Sequence, residues 1–241
     1  MVLGRSTAGL LILPPVSTAS EPTGLSLPPR SALAQVDADD PIEYYYRTYT
    51  AWLYRARLRL ALRMLGSSRF HSLLEVGYGS GILLPELARR ADRLVAIDVH
   101  AHVRAVELSM RGLGIEAELH RASLFDMPFG VSEFNALVCL SVLEHVTELD
   151  EALTQFANVL RPGGVAVIGF PTRNPVTDSL FRILGFNPRE IHPSSHGDII
   201  KAARRNSNFD VERTGQIPAW MPRPTSAYVV LRLVAGHQEK L

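Results

Sequence analysis

The sequence predicts an α/β fold, a doubly wound parallel sheet, and three observations predict it. Residues 73–81 read Leu-Leu-Glu-Val-Gly-Tyr-Gly-Ser-Gly, a short apolar run that turns through alternating glycines straight into the helical pattern Ile82 to Ala91. Further apolar runs, Arg93 to Ile97, Phe134 to Leu140 and Val165 to Phe170, alternate with helix patterns in the βαβ rhythm. An acid, Asp98, closes the second run about 20 residues beyond the glycines, where the tip of a neighbouring parallel strand reaches ribose hydroxyls.

Met1 to Asp40 mixes small residues with Pro14, Pro15, Pro22, Pro28 and Pro29 and shows neither the helix nor the strand period, so 1–40 reads as a flexible leader that does not pack. Arg5, Leu10 to Leu13 and Ala32-Leu33-Ala34 loosely imitate a signal peptide, but the apolar stretch is short and ends in two prolines, so secretion is not expected. No stretch approaches the ~20 apolar residues that a membrane-spanning helix needs.

Residues 41–70 form a basic, aromatic-rich N-terminal helix. Tyr44, Tyr45, Tyr46, Tyr49, Trp52 and Tyr54 precede Arg55, Arg57, Arg59, Arg63 and Arg69, with no acid between Glu43 and Glu75. Leu53, Ala56, Leu60 and Met64 fall on one helical stripe, which Leu58, Leu62 and Leu65 widen. One reading packs the leucines on the sheet and solvates the arginines. A second makes the segment a lid whose tyrosines, Tyr45 and Tyr49 among them, bind an anionic or aromatic acceptor together with the arginines. A third lays residues 41–69 on an anionic membrane surface.

The catalytic domain occupies 71–236, with an insertion at about 171–200 and a tail at 237–241. Gly77, Gly79 and Gly81 let the chain turn sharply and let a ligand approach bare backbone. The third glycine comes one residue earlier than in a dinucleotide-binding loop, and Glu75 before the turn suits a cationic or amine-bearing ligand better than a pyrophosphate. Asp98 is the ribose ligand, a role compatible with capping the helix that starts near His100. Ile115 to Leu119 alternates as a strand and leads into Ala122 to Phe129. There Asp126 is placed to accept from an exocyclic amine such as that of adenine, unless it only forms an Asx-turn before Pro128. Ser141 to Val146 opens a long helix pattern, and Leu160-Arg-Pro-Gly-Gly164 returns the chain to the sheet.

Taken in order, Glu75-Val-Gly-Tyr-Gly-Ser-Gly81, Asp98, Phe125-Asp126-Met-Pro-Phe129, Leu143-Glu144-His145-Val146 and Leu160 to Gly164 resemble a class I S-adenosylmethionine-dependent methyltransferase, in the small-molecule branch that holds quinone-biosynthesis enzymes. The resemblance runs over about Ser72 to Thr172 and more weakly to Ala235. It implies a seven-stranded sheet of order 3-2-1-4-5-7-6 with the last strand antiparallel, its final strands at Phe209 to Thr214 and Ala227 to Val234. It implies S-adenosylmethionine as cofactor and S-adenosylhomocysteine as product. Glu75 and the Gly77-Tyr78-Gly79-Ser80-Gly81 loop would face the methionine part, Asp98 and Val99 the ribose, and Asp126 with Leu124 and Phe125 the adenine. Ser141 and Glu144 would complete the cofactor wall. Tyr78 stands where the family often has a small residue or cysteine, and Asn135 where an acid is common. The cytoplasm, where the cofactor is made, is the expected compartment, with peripheral membrane contact through 41–69 as its variant.

The activity so implied is methyl transfer to oxygen or carbon of a small-molecule acceptor by in-line displacement, which asks of the protein chiefly alignment. The alternatives are a quinone or lipid-like acceptor met at a membrane surface, and a module that binds the cofactor without turnover. His145, at the carboxyl edge of the sheet, is the candidate base. In the insertion, Arg173, His192 and His196 are candidate acceptor contacts, His192 the second catalytic candidate. Pro193 keeps a regular helix from presenting both histidines on one face, and methyl transfer needs no metal, so none is expected. Ser194 or Ser195 caps the helix reaching Arg205.

At 241 residues and 46% apolar, the chain suits one α/β domain with accessory sequence. A net charge of +1 gives no global field to draw in nucleic acid, and none is expected as a partner. The single cysteine, Cys139, sits in an apolar strand and excludes an internal disulfide.

Overall fold

Strands with runs of consecutive apolar residues need cover on both faces, and the chain provides it. The computed structural model describes residues 25–36, 40–172, 193–221 and 225–236. In it β1 (Phe70–Val76), β2 (Ala91–Asp98), β3 (Glu118–Arg121), β4 (Phe134–Leu140), β5 (Leu160–Pro171), β6 (Phe209–Ile217) and β7 (Tyr228–Ala235) form one sheet. Its lateral order is β3-β2-β1-β4-β5-β7-β6, with β7 antiparallel to both neighbours and the other pairs parallel. This is the order the resemblance implied.

Successive side chains take opposite sides of the sheet. Leu73, Ala136, Val138, Val165 and Val167 join one apolar layer under α1 (Ala51–Leu65), α2 (Leu84–Ala88) and α3 (Val103–Gly112). Leu74, Leu137, Cys139, Ala166 and Ile168 join the other, under α4 (Leu149–Val159) and α5 (His196–Arg205). The parallel pairing of β1 with β2 and β4 brings the ends of all three, with the loops that follow, to one edge, where ligands of open α/β sheets bind.

Helix α1 buries Leu58, Leu60, Ala61, Leu62, Met64 and Leu65 while Arg59 and Arg63 stay exposed. It crosses the sheet so closely that a Cβ on Gly215 of β6 would lie 2.3 Å from Met64 Cε. Arg232 of β7 donates to the Met64 and Leu65 carbonyls at 2.7 and 3.0 Å, satisfying acceptors that a helix end leaves open.

Several elements differ from the sequence reading. Residues 25–36 pack: Leu33 and Val36 are buried, the Ser26 amide donates to Glu86 Oε1 at 2.9 Å, and Arg30 pairs with Glu43 at 2.6 Å. Aperiodic chain can still pack when scattered apolar side chains find a ready-made groove, and no local period records that. Residues 1–24 and 237–241, with Arg173 and His192, lie outside the described residues. The helix expected from Ile82 is confined to Leu84–Ala88, because tight turns fill Tyr78 to Leu84 and β2 claims the chain from Ala91, opposite Phe70. Strand β3 starts at Glu118 rather than Ile115, whose amide still bonds back to Met110 at the end of α3. The run from Ser141 is one 3-10 turn, Leu143–His145, and α4 begins only at Leu149, since Ser141 has φ +57° and Val146 is extended. Ser195 makes the capping box with Asp198, and Ser194 instead bonds to the Glu144 and Val146 carbonyls.

Candidate functional site

The ends of β1, β2 and β4 open on a cavity of about 600 Å³. Its floor is the turn after β1. Gly77 has φ +83° and sits so tightly under Val142 that a Cβ would lie 2.2 Å from Val142 Cγ2. Gly81 has φ +79° and faces Leu84, Val106 and Met110, so it packs the turn onto α2 and α3 and does not line the cavity.

Asp98, at the tip of β2, holds this turn. Its Oδ2 accepts the Gly79 amide at 2.8 Å and its Oδ1 the His100 amide at 3.3 Å. The His100 ring braces the other side: Nδ1 accepts from the His102 amide at 3.1 Å, and Nε2 donates to the Gly79 carbonyl at 3.0 Å. Tyr78 lies edge-on to that ring, 4.9 Å between centroids.

Four buried side-chain atoms among the described residues have no hydrogen-bond partner: Asp40 Oδ2, Glu75 Oε2, Tyr78 Oη and Glu144 Oε2. The first three residues line the cavity, and Glu144 sits between His145 and Val142, which also line it. Buried polar atoms are rarely left unmatched in native folds, so such a cluster marks where a polar ligand goes. Burial, reinforced by the Asp98 charge, pushes the Glu75 carboxyl up to about 8. Burial pushes Glu144 up to about 8 as well, and raises Asp40 and Tyr78. A ligand offering hydroxyl and ammonium donors would satisfy them.

The opposite wall comes from α1. Arg57 donates to Tyr45 Oη through Nε and Nη2, at 3.1 and 2.5 Å, and to Ser141 Oγ through Nη1 at 3.4 Å. Its guanidinium lies 4.2 Å from the Tyr54 ring centroid, 5.0 Å from that of Tyr45 and 5.7 Å from that of Tyr228. The Tyr228 hydroxyl meets Ser141 Oγ at 3.0 Å.

The structure thus brings Tyr45, Glu75, Gly77, Tyr78, Gly79, Asp98, Val99, Leu124, Phe125, Ser141 and His145 to one cavity, with Glu144 beside it. His145 is exposed on its rim. Others are elsewhere. Asp126 is exposed and lines a shallow depression with Arg121 and Pro128 that adjoins the cavity at Val99, Ala122 and Ser123. Tyr49 is 71% exposed ahead of α1, and His196, in the first turn of α5, does not line the cavity. Arg173 and His192 are outside the described residues. Sequence reasoning missed Asp40, His100 and Tyr228, and offered Arg57 only within the run of arginines that one reading turns toward an acceptor. Arg57 carried a signal, falling between the buried Leu58 and the tyrosines, but one arginine in a run of five does not stand out.

Residues 74–168 match the family model described as "Methyltransferase domain". The chain is 33% identical over 139 residues to the ubiquinone biosynthesis O-methyltransferase of Alkalilimnicola ehrlichii, an alignment covering 54% of this chain and 53% of that protein. The chain spans about half the length of the curated relatives it matches. Among solved structures, geranyl diphosphate methyltransferase in complex with SAM superposes with a TM-score of 0.62 at 16% identity, over 84% of this chain and 96% of that one. The [4+2]-cyclase SpnF does so with a TM-score of 0.63 at 15% identity, over 85% and 86%. At these identities the likeness is one of fold, which different chemistries share.

Proposed function

We propose, for a chain whose core is a class I methyltransferase domain, that the protein transfers a methyl group from S-adenosylmethionine to an oxygen of a small-molecule acceptor. The single observation that carries the reading is the set of unpartnered oxygens of Asp40, Glu75, Tyr78 and Glu144 around the glycine turn after β1. The cofactor offers what they lack: an ammonium group, ribose hydroxyls and a cationic sulfur. When bound, it supplies a methyl group activated by that sulfonium.

The chain's own residues do the rest. Glu75 accepts from the ammonium end, which draws its carboxyl back to the ionised form. Asp98 keeps lone pairs for ribose hydroxyls while holding Gly79, and Leu124 with Phe125 gives the purine an apolar wall. His145, on the cavity rim, takes the acceptor hydroxyl's proton. The relatives' name favours a phenolic acceptor of the quinone-precursor kind.

Calorimetric titration with S-adenosylmethionine and S-adenosylhomocysteine tests the reading, followed by mass analysis for methylated product with catechol. Saturable heat from both ligands and one added methyl group support it. Absence of heat and of any thermal shift overturns it.

A further inference from the structure

Arg57 stands half-buried on the cavity wall among Tyr45, Tyr54 and Tyr228, yet no carboxylate among the described residues lies within ion-pair distance of it. A half-buried arginine facing a cavity is well placed to take an anionic partner there. Glu144, beside the same site, is held toward the neutral form by burial. Its hydrogen bonds to Tyr45 Oη and Ser141 Oγ commit Nε and one N–H of each terminal nitrogen, leaving a second N–H on each. Those bonds, with the three rings, fix the fork in place before any ligand arrives, so binding costs little ordering.

We infer that Arg57 is the anchor for the acceptor, and that the acceptor is an aromatic acid whose carboxylate bridges the two terminal nitrogens. A planar guanidinium fork matches a carboxylate's two oxygens, and the flanking tyrosine rings suit an aromatic body. The cavity floor lined by Glu75, Tyr78 and Asp98 answers donors, whereas Arg57 and Tyr45 on the far wall answer an acceptor, so the two halves of the cavity have opposite requirements. The inference rests on the methyl-transfer reading for the name acceptor, but not for the binding site itself.

The test is titration of the full chain with 3,4-dihydroxybenzoate and with its uncharged methyl ester, each with and without saturating S-adenosylhomocysteine. The acid is expected to bind about tenfold or more tighter than the ester, the size of one charge-assisted contact. Arg57→Gln abolishes that ratio and leaves S-adenosylhomocysteine binding in place. The ratio in the unaltered chain needs no variant, so it decides even where Arg57→Gln fails to fold. Equal binding of acid and ester, binding of neither, or a ratio that survives Arg57→Gln overturns the inference. Arg57-dependent binding of the acid in a chain that ignores S-adenosylhomocysteine keeps the anion site and removes the methyl-transfer reading.

Discussion

The Gly79 amide donates to Asp98 Oδ2 at 2.8 Å, which ties the turn after β1 to the tip of β2. One carboxylate therefore shapes the loop and stays available to a ligand. Asp98→Ala should weaken S-adenosylhomocysteine binding about tenfold to a hundredfold, since both a loop contact and a charge-assisted ligand contact go. Asp98→Asn, whose amide oxygen still accepts from Gly79, should lose less. Calorimetry on the two variants separates the duties, and equal losses would show that the loop contact contributes nothing.

Gly77→Ala should destabilise the fold by about 1–3 kcal/mol, because a methyl group must enter the space of Val142 at a left-handed backbone position. Thermal unfolding reports the loss. Adding Val142→Ala should recover part of it, the strain at φ +83° persisting.

Stability of the ligand-free protein should fall as pH rises from about 5 to about 8. Glu75 and Glu144 are both raised to about 8, so between the unfolded value of 4.5 and that point the folded state holds protons that the unfolded state has released. Stability is then fullest at the acid end of this window, declines through it and levels off above 8. Glu75→Gln should flatten the decline by an amount on the order of a few kcal/mol. A melting curve series at constant ionic strength reads this directly, and an unchanged slope in the variant would assign the decline to other groups.

His145→Ala should lower kcat for a hydroxyl acceptor by about 10²–10⁴-fold, the usual range for a lost general base, with S-adenosylhomocysteine binding retained. The loss should shrink at high pH, where the acceptor ionises by itself. A pH-independent deficit would make His145 a wall residue only.

Glu86 is 3% exposed and gathers the Ser26 amide, Arg89 and Arg90. Glu86→Ala should cost about 1–3 kcal/mol, leaving those donors short of a partner. Limited proteolysis should then cut within residues 25–36 sooner than in the unaltered chain, and an unchanged cleavage pattern would mean that Leu33 and Val36 suffice to hold the segment.

Much of this architecture was legible because it is written in local pattern. Ala136 to Leu140 is apolar throughout since the strand is covered on both faces, and the glycines at 77, 79 and 81 stand out because few other residues fit those backbone angles or contacts. Asp40 was not legible, and Arg57 was legible only as one of five arginines. Asp40 reaches the glycine turn from a stretch with no period, and Arg57 meets Ser141 across 84 residues of chain. Asp126 lies at the margin: the turn from Ser123 leaves it exposed in a depression that shares Val99, Ala122 and Ser123 with the cavity.

Helix α1 lies against β5, β6 and β7, and its capping partner Arg232 stands 168 residues after Met64. At about 5–20 residues per second of synthesis, the buried stripe of α1 waits roughly ten to thirty seconds for the strands that cover it. A nascent chain of this protein therefore presents a greasy helix until β7 has been made, and its yield in the cell should depend on chaperones that shield such a helix far more than the finished fold's stability suggests.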